Sequence, residues 1–295
     1  MFVMGSTGIF MKLDPKTGEI VWQQDVKEVA GRAGVPTWGY ASSPLVTGGV
    51  VIVYGGGSGE KGVLAFEREQ GTLAWSAPAG IESYSSAQLS TFADEKLVLF
   101  LSNDGLLCVE PASGKVRLNY QWKMQGYRAL QPMVVEDVVL LASPMGPGTR
   151  AIQIKKGEGQ LAAEELWSSK TFKPDFTDFV EHEGLLYGID SGIFACVDPK
   201  TSERKWRGGR YGKGQVILLE DSRLLLVSAE DGRVVLLKAD PTAHMEVASF
   251  KALEGKTWNH PVVVRDRLYV RNAQEAAAFQ LPMAEKRLTA GKTDL

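Results

Sequence analysis

The sequence predicts an all-β protein, a β-propeller of four-stranded antiparallel blades, on three observations. Its apolar runs are short, rich in Val, Leu, Ile and Tyr, and bounded by Gly or Asp-Gly. No stretch holds a 3.6-residue period over three turns, which excludes long helices and sets helix content under ~10% against a typical ~30%. One frame also returns along the chain, closing on a large apolar residue at positions 22, 75, 118, 167, 206 and 250. A spacing in the forties is one four-stranded blade.

The frame is clearest from Gly8 to Trp22, where Asp14-Pro15-Lys16-Thr17-Gly18 interrupts two strands, and again from Gly62 to Trp75 around Gly71. It recurs from Gly105 to Leu118 and from Gly192 to Trp206, with looser copies ending at Trp167 and Phe250. The proline fixes φ as the turn begins, and Gly18 supplies the positive φ that reverses the chain. The large residue that follows can be covered only by a neighbouring blade. Two further strands precede most frames, as in Ser43–Val46 and Val50–Tyr54, so a full unit reads A, B, C, D with A innermost. The first unit offers only B, C and D (Phe2 to Met4, Ile9 to Leu13, Glu19 to Asp25). The last offers A, B and C (Pro261 to Val264, Leu268 to Arg271, Ala276 to Leu281). With five complete blades between them, seven blade-like units contribute 26 strands over a single domain, residues 1–282, followed by a tail, 283–295.

Leu13-Asp14-Pro15-Lys16-Thr17-Gly18 with Trp22, Gly71 with Trp75, Ser113-Gly114, and Asp198-Pro199-Lys200-Thr201 with Trp206 give the chain its resemblance to bacterial PQQ-like, or quinoprotein-type, propeller repeats. WD-type propellers would show Gly-His and Trp-Asp pairs instead. Such propellers are commonly eight-bladed, so the resemblance implies a truncated eight-bladed parent with N-terminal sequence absent. It also implies periplasmic or cell-surface placement, and two functions. One is a non-catalytic binding scaffold, the role these repeats play in a lipoprotein of the outer-membrane β-barrel assembly machinery. The other is a PQQ-dependent alcohol or sugar dehydrogenase, whose cofactor sits on the propeller axis with calcium and a catalytic aspartate. The adjacent-cysteine disulfide of the methanol-oxidising members is missing, and no Glu/Asn/Asp calcium set aligns. The expectation is therefore a scaffold with no catalytic residue and no cofactor.

Composition agrees with a packed, water-facing protein. Apolar residues make up 44% of the 295 and charged residues 23%; 33 Lys and Arg against 35 Asp and Glu leave a net charge of −2. That balance gives no global attraction to nucleic acid or an anionic membrane. No apolar run approaches the ~18 residues of a membrane span. Met1–Gly5 is too short for a signal-peptide core and has no basic flank. Cys108 and Cys196 occupy the slot that Ala65 holds in its own unit, so both read as small buried filler in non-adjacent blades, out of disulfide reach. Hydrolase-elbow, phosphate-loop and zinc motifs are absent from the sequence. Gly55-Gly56-Gly57-Ser58-Gly59 reads as a flexible B–C loop.

Function should sit where the D–A loops converge. Those loops are unusually aromatic and basic for connectors: eleven Lys and Arg against five Asp and Glu, a surplus of +6. Trp38, Tyr40, Tyr84, Arg128, Arg210, Tyr211, Gln215, Lys256, Trp258, Asn259 and His260 are the expected lining of one pocket for an anionic small molecule or a partner protein. Asp175 and Asp178 are the sole carboxylates offered for a cation. His182 is placed in an exposed A–B turn and His244 in a C–D connection without a neighbouring partner. Trp22, Trp75, Trp167 and Trp206 are assigned to the blade interfaces.

Overall fold

The Asp-Pro-Lys-Thr turn folds as its residues dictate. The Asp14 carboxylate accepts the amides of Lys16 (2.7 Å) and Thr17 (3.2 Å), and Gly18 takes φ +77°. Asp198 repeats the arrangement with Lys200 at 2.8 Å, and there Ser202 adopts the positive φ that glycine holds elsewhere. Between such turns the computed structural model, which describes residues 1–92, 94–143, 148–157, 160–219 and 223–282, forms seven antiparallel sheets. The predicted tail, 283–295, lies outside the described residues.

Blade 1 has three strands, Phe2–Met4, Ile9–Leu13 and Ile20–Asp25, and blade 7 has three, Val262–Val264, Arg267–Arg271 and Ala276–Gln280. The five between them have four each, beginning at Leu45, Gln88, Met133, Phe179 and Gln215. The 26 described strands equal the number read from the sequence, and the eight whose bounds the sequence suggested agree to within two residues. Described helix is limited to Val26–Val29, capped where Asp25 accepts the Glu28 amide, and a 3-10 turn at Gly59–Lys61. Each is one turn, too short to leave a periodic signal.

Strands C and D slip register by one residue beside the closing position of each blade from 1 to 6. The bulge bends the outer strand and re-aims the next side chain toward the following blade. Trp22, Trp75, Trp167 and Trp206 each donate their indole N–H across the gap to a backbone carbonyl in the closing turn of that blade: Arg68 (3.2 Å), Pro111 (3.0 Å), Pro199 (2.9 Å) and Asp240 (2.8 Å). Trp75 is buried, and the other three are half-buried. The receiving glycine has two reasons to be glycine. Gly114 sits at φ +71°, and a Cβ there would lie 2.4 Å from the Trp75 ring; at Gly71 it would lie 2.6 Å from Trp22. In blade 6 the bulge places Ala248, not Phe250, in the tryptophan slot; Phe250, two residues on, meets Phe279 of blade 7 edge to face at 4.9 Å.

Small residues lie directly across from the closing side chain: Ala65 opposite Trp75, Cys108 opposite Leu118, Cys196 opposite Trp206. Both cysteines are fully buried and free, and burial pushes their thiols up to about 12 and about 11. Two expectations are corrected. The Gly55–Gly57 run is buried rather than flexible: a Cβ on Gly57 would lie 2.1 Å from the Ala30 carbonyl oxygen, and one on Gly55 2.9 Å from the Leu64 side chain. His182 closes strand Phe179–His182 and is half-buried rather than exposed in the turn. His244, which has no partner nearby in sequence, is bonded across 33 residues to the Tyr211 hydroxyl at 2.8 Å.

Replacing Trp75 by Ala should cost roughly 3–5 kcal/mol in denaturant unfolding. Gly114→Ala should be destabilising in the wild-type background, yet much less so once Trp75 is Ala, because the clash disappears with the ring. A double-mutant cycle is expected to give at least ~1 kcal/mol of coupling; additive losses would contradict the docking geometry.

Candidate functional site

Loops from all six blade junctions meet on one face. Trp38 (junction of blades 1 and 2), Tyr84 (2 and 3) and Tyr127 (3 and 4) form an aromatic triad with ring centroids 5.4, 5.2 and 6.4 Å apart. The Tyr127 hydroxyl donates to Asp175 at 2.8 Å, and Lys213 also pairs with Asp175. Lys213 further lies 5.4 Å over the Phe176 ring, which packs on Trp258 at 5.1 Å. Glu230 accepts from the Trp258 indole (2.8 Å) and the Lys213 amide (3.0 Å), and His260 bonds Asp178 at 2.7 Å.

Contacts between non-adjacent junctions, such as Asp178 with His260, require the loops to lean inward. Gln215 fixes that lean. It is buried at the start of its inner strand, accepts the Asp178 amide (2.8 Å) and donates to the carbonyls of Phe176 (3.1 Å) and Trp258 (3.2 Å).

The expected lining residues divide. Trp38 (65% exposed), Tyr84, Lys256, Trp258 (42% exposed) and His260 reach this surface, with Asn259 half-buried among them. Lys256 covers the Trp258 ring at 4.6 Å. Tyr40, Arg128, Tyr211 and Gln215 do not line an open pocket. Tyr40 packs in the core between blades 1 and 2, against the backbone of Gly8. Arg128 is fully buried, stacked 4.1 Å over Trp122 and bonded to the Trp122 carbonyl at 2.7 Å; burial and the nearby Arg150 pull its pKa down to about 10. Tyr211 is buried against Phe194 and His244. Arg210 is exposed and lies at the end of the outer strand Arg204–Arg210 rather than in the loop that follows it.

Four contributors lay outside the expected lining: Tyr127, Phe176, Lys213 and Glu230. Tyr127, Phe176 and Lys213 stood in the D–A loops already singled out. Glu230 comes from a B–C loop, which shares this face with the D–A loops and could have been included on that ground.

Part of the charge on this surface is compensated within it. Lys213 and His260 are matched by Asp175 and Asp178, and burial holds the Lys213 ammonium below its usual range, opposed by Glu230. The same pairings occupy the carboxylates offered for a cation, and the described residues hold no group of three or more His, Cys, Asp or Glu disposed around a metal.

A seven-bladed all-β propeller whose blades are joined by tryptophan docking is the class these features define. The family model described as outer membrane protein assembly factor BamB matches residues 1–208, and the chain belongs to that PQQ-like repeat family. Among solved structures it is similar to BamB from Moraxella catarrhalis, at 15% identity with a TM-score of 0.68, covering 94% of this chain and 80% of that one. It is also similar to Saccharomyces cerevisiae Sqt1 (12%, TM-score 0.65, 96% and 81%) and to the computationally designed Ika8 protein (11%, TM-score 0.64, 95% and 80%). At these identities the likeness is one of fold. No curated protein sequence matches the chain.

Gln215→Leu should leave the Asp178 amide and two carbonyls without their partner. The expected loss is ~1–3 kcal/mol in urea unfolding, since stranded buried polar groups carry their full desolvation cost. A neutral result would show that Gln215 does not set the loop arrangement.

Proposed function

We propose that this chain is a non-catalytic scaffold that docks a partner protein on the face carrying Trp38, Tyr84, Tyr127 and Trp258. The observation that carries this reading is the aromatic triad: three rings from three successive junctions packed on one another, with Trp38 standing 65% exposed on a braced base. Rigid, amphipathic aromatics of this kind anchor protein interfaces, because they bury much area for little conformational entropy.

A small anionic ligand is less well supported. The cavity bordered by Lys173, Asp175, Lys213 and Glu230 encloses about 200 Å³, below the ~300–1,000 Å³ of typical ligand pockets. Its Lys213 is already paired, and Arg128 is withdrawn into the core. Membership of the assembly-factor family supports a role in a multiprotein complex, and by extension placement at the periplasmic side of an outer membrane.

Photo-crosslinking tests the reading. A photoreactive phenylalanine at position 38 or 258, in the native cell, should give a discrete protein adduct, whereas one at position 164 on an outer strand should not. Trp38→Ala should weaken the captured complex by ≥ ~2 kcal/mol, the scale of an interface hot spot, without lowering the melting temperature. Equal labelling from all three positions would overturn it.

A further inference from the structure

A second cavity lies away from this face. A groove of about 520 Å³ runs between blades 2 and 3, bordered by Gly48, Gly49, Val50, Glu67, Pro111 and Ala112. It is built from the A–B turn and the C–D turn of blade 2, and blade 2 departs from the repeat at both.

The first departure is at the A–B turn. Every other described A–B turn carries charged side chains: Asp94, Glu136-Asp137, Glu183, Arg223 and Arg265-Asp266. Blade 2 has Gly48-Gly49 instead. Gly48 needs its glycine for φ +54°, but Gly49 does not. Its φ is not in the left-handed region, and a Cβ there would meet nothing within 4 Å. The fold leaves the floor of this groove bare at a position where it would accept a side chain.

The second departure is at Glu67, the residue that opens the C–D turn. The equivalent residue is hydrogen-bonded through its side chain in five of the six other blades. Asp14 and Asp198 accept from their own turns, and Glu110 accepts from Ser113 and Arg117. Gln153 and Gln280 donate to the A–B turn aspartates Asp137 and Asp266. Blade 6 places Lys238 there, opposite Leu224 as Glu67 is opposite Val50. Glu67 is the one carboxylate at this position without a side-chain hydrogen bond or ion pair among the described residues. Its neighbour Glu69 is already compensated by Lys12 (2.6 Å) and Arg68 (3.1 Å). The groove thus presents one uncompensated carboxylate beside an apolar wall of Val50, Pro111 and Ala112.

We infer that this groove is a second binding site, for an extended peptide segment that places a lysine or arginine on Glu67 and a small apolar side chain over Gly49. A carboxylate left without a partner at the edge of an apolar wall favours a cationic residue flanked by an apolar one, and a bare glycine floor admits the peptide's side chain. The site is independent of the aromatic face.

The test is titration of the ¹⁵N-labelled full chain with an acetylated, amidated hexapeptide of alternating valine and lysine, against its valine–glutamate counterpart. The lysine peptide should shift the amides of Gly48, Gly49, Gln70 and Ala112 saturably, and the glutamate peptide should not. Glu67→Gln should weaken the lysine peptide at least fivefold. Gly49→Asn, the uncharged isostere of the aspartate seen in blades 4 and 7, fills the floor without adding charge and should abolish binding with the melting temperature unchanged. Absence of saturable shifts up to millimolar peptide would overturn the assignment. So would binding that neither substitution alters.

Discussion

One contact repeated between blades, an indole laid on the closing turn of the next sheet, organises this molecule. A single antiparallel sheet of three or four short strands cannot bury its apolar faces alone, and stability comes only from stacking neighbours. The docked tryptophan supplies large apolar area and one directional hydrogen bond at the same place. Its indole reaches a carbonyl that belongs to the turn, so packing and register are fixed together. The receiving glycine closes its own turn and also leaves room for the ring. Where tryptophan is missing, the interface changes character: Leu118 joins an aliphatic cluster with Ile154 and Leu161, and Phe250 meets Phe279.

The arrangement of the loops follows from that stacking. The five four-stranded blades share one strand order, so each D–A loop leaves its sheet at the same end, and residues far apart in sequence arrive together. Tyr127 reaches Asp175, and Asp178 reaches His260 across 82 residues. Gln215, buried beneath them, holds three loop backbone groups at once. The face is thus a product of many stacked sheets together. The groove near Glu67 is the opposite case, made by local departures in a single blade from the pattern its neighbours share.

Most of the architecture was legible because its determinants are local. Asp-Pro turns, positive-φ glycines and alternating apolar runs act over a few residues, and their recurrence revealed the blades. The register bulge was not legible, since it depends on pairing between strands; that is why Phe250 read as the closing residue while Ala248 holds the slot. For the surface, residue type was readable but direction was not. Arg128 reads as a phosphate or carboxylate fork in sequence, yet it turns inward onto Trp122. The +6 surplus is likewise reduced by carboxylates from outside those loops, such as Asp190 beside Arg207, which only the fold brings together.

Exchange of the indole N–H protons tests the central contact most directly, because these hydrogens make the bonds that join the blades. The account predicts that the indole protons of Trp22, Trp75, Trp167 and Trp206 exchange far more slowly than that of Trp38, whose ring stands exposed. Exchange of those four at the rate of Trp38 would contradict it, since the sheets would then be stacked by something other than tryptophan docking.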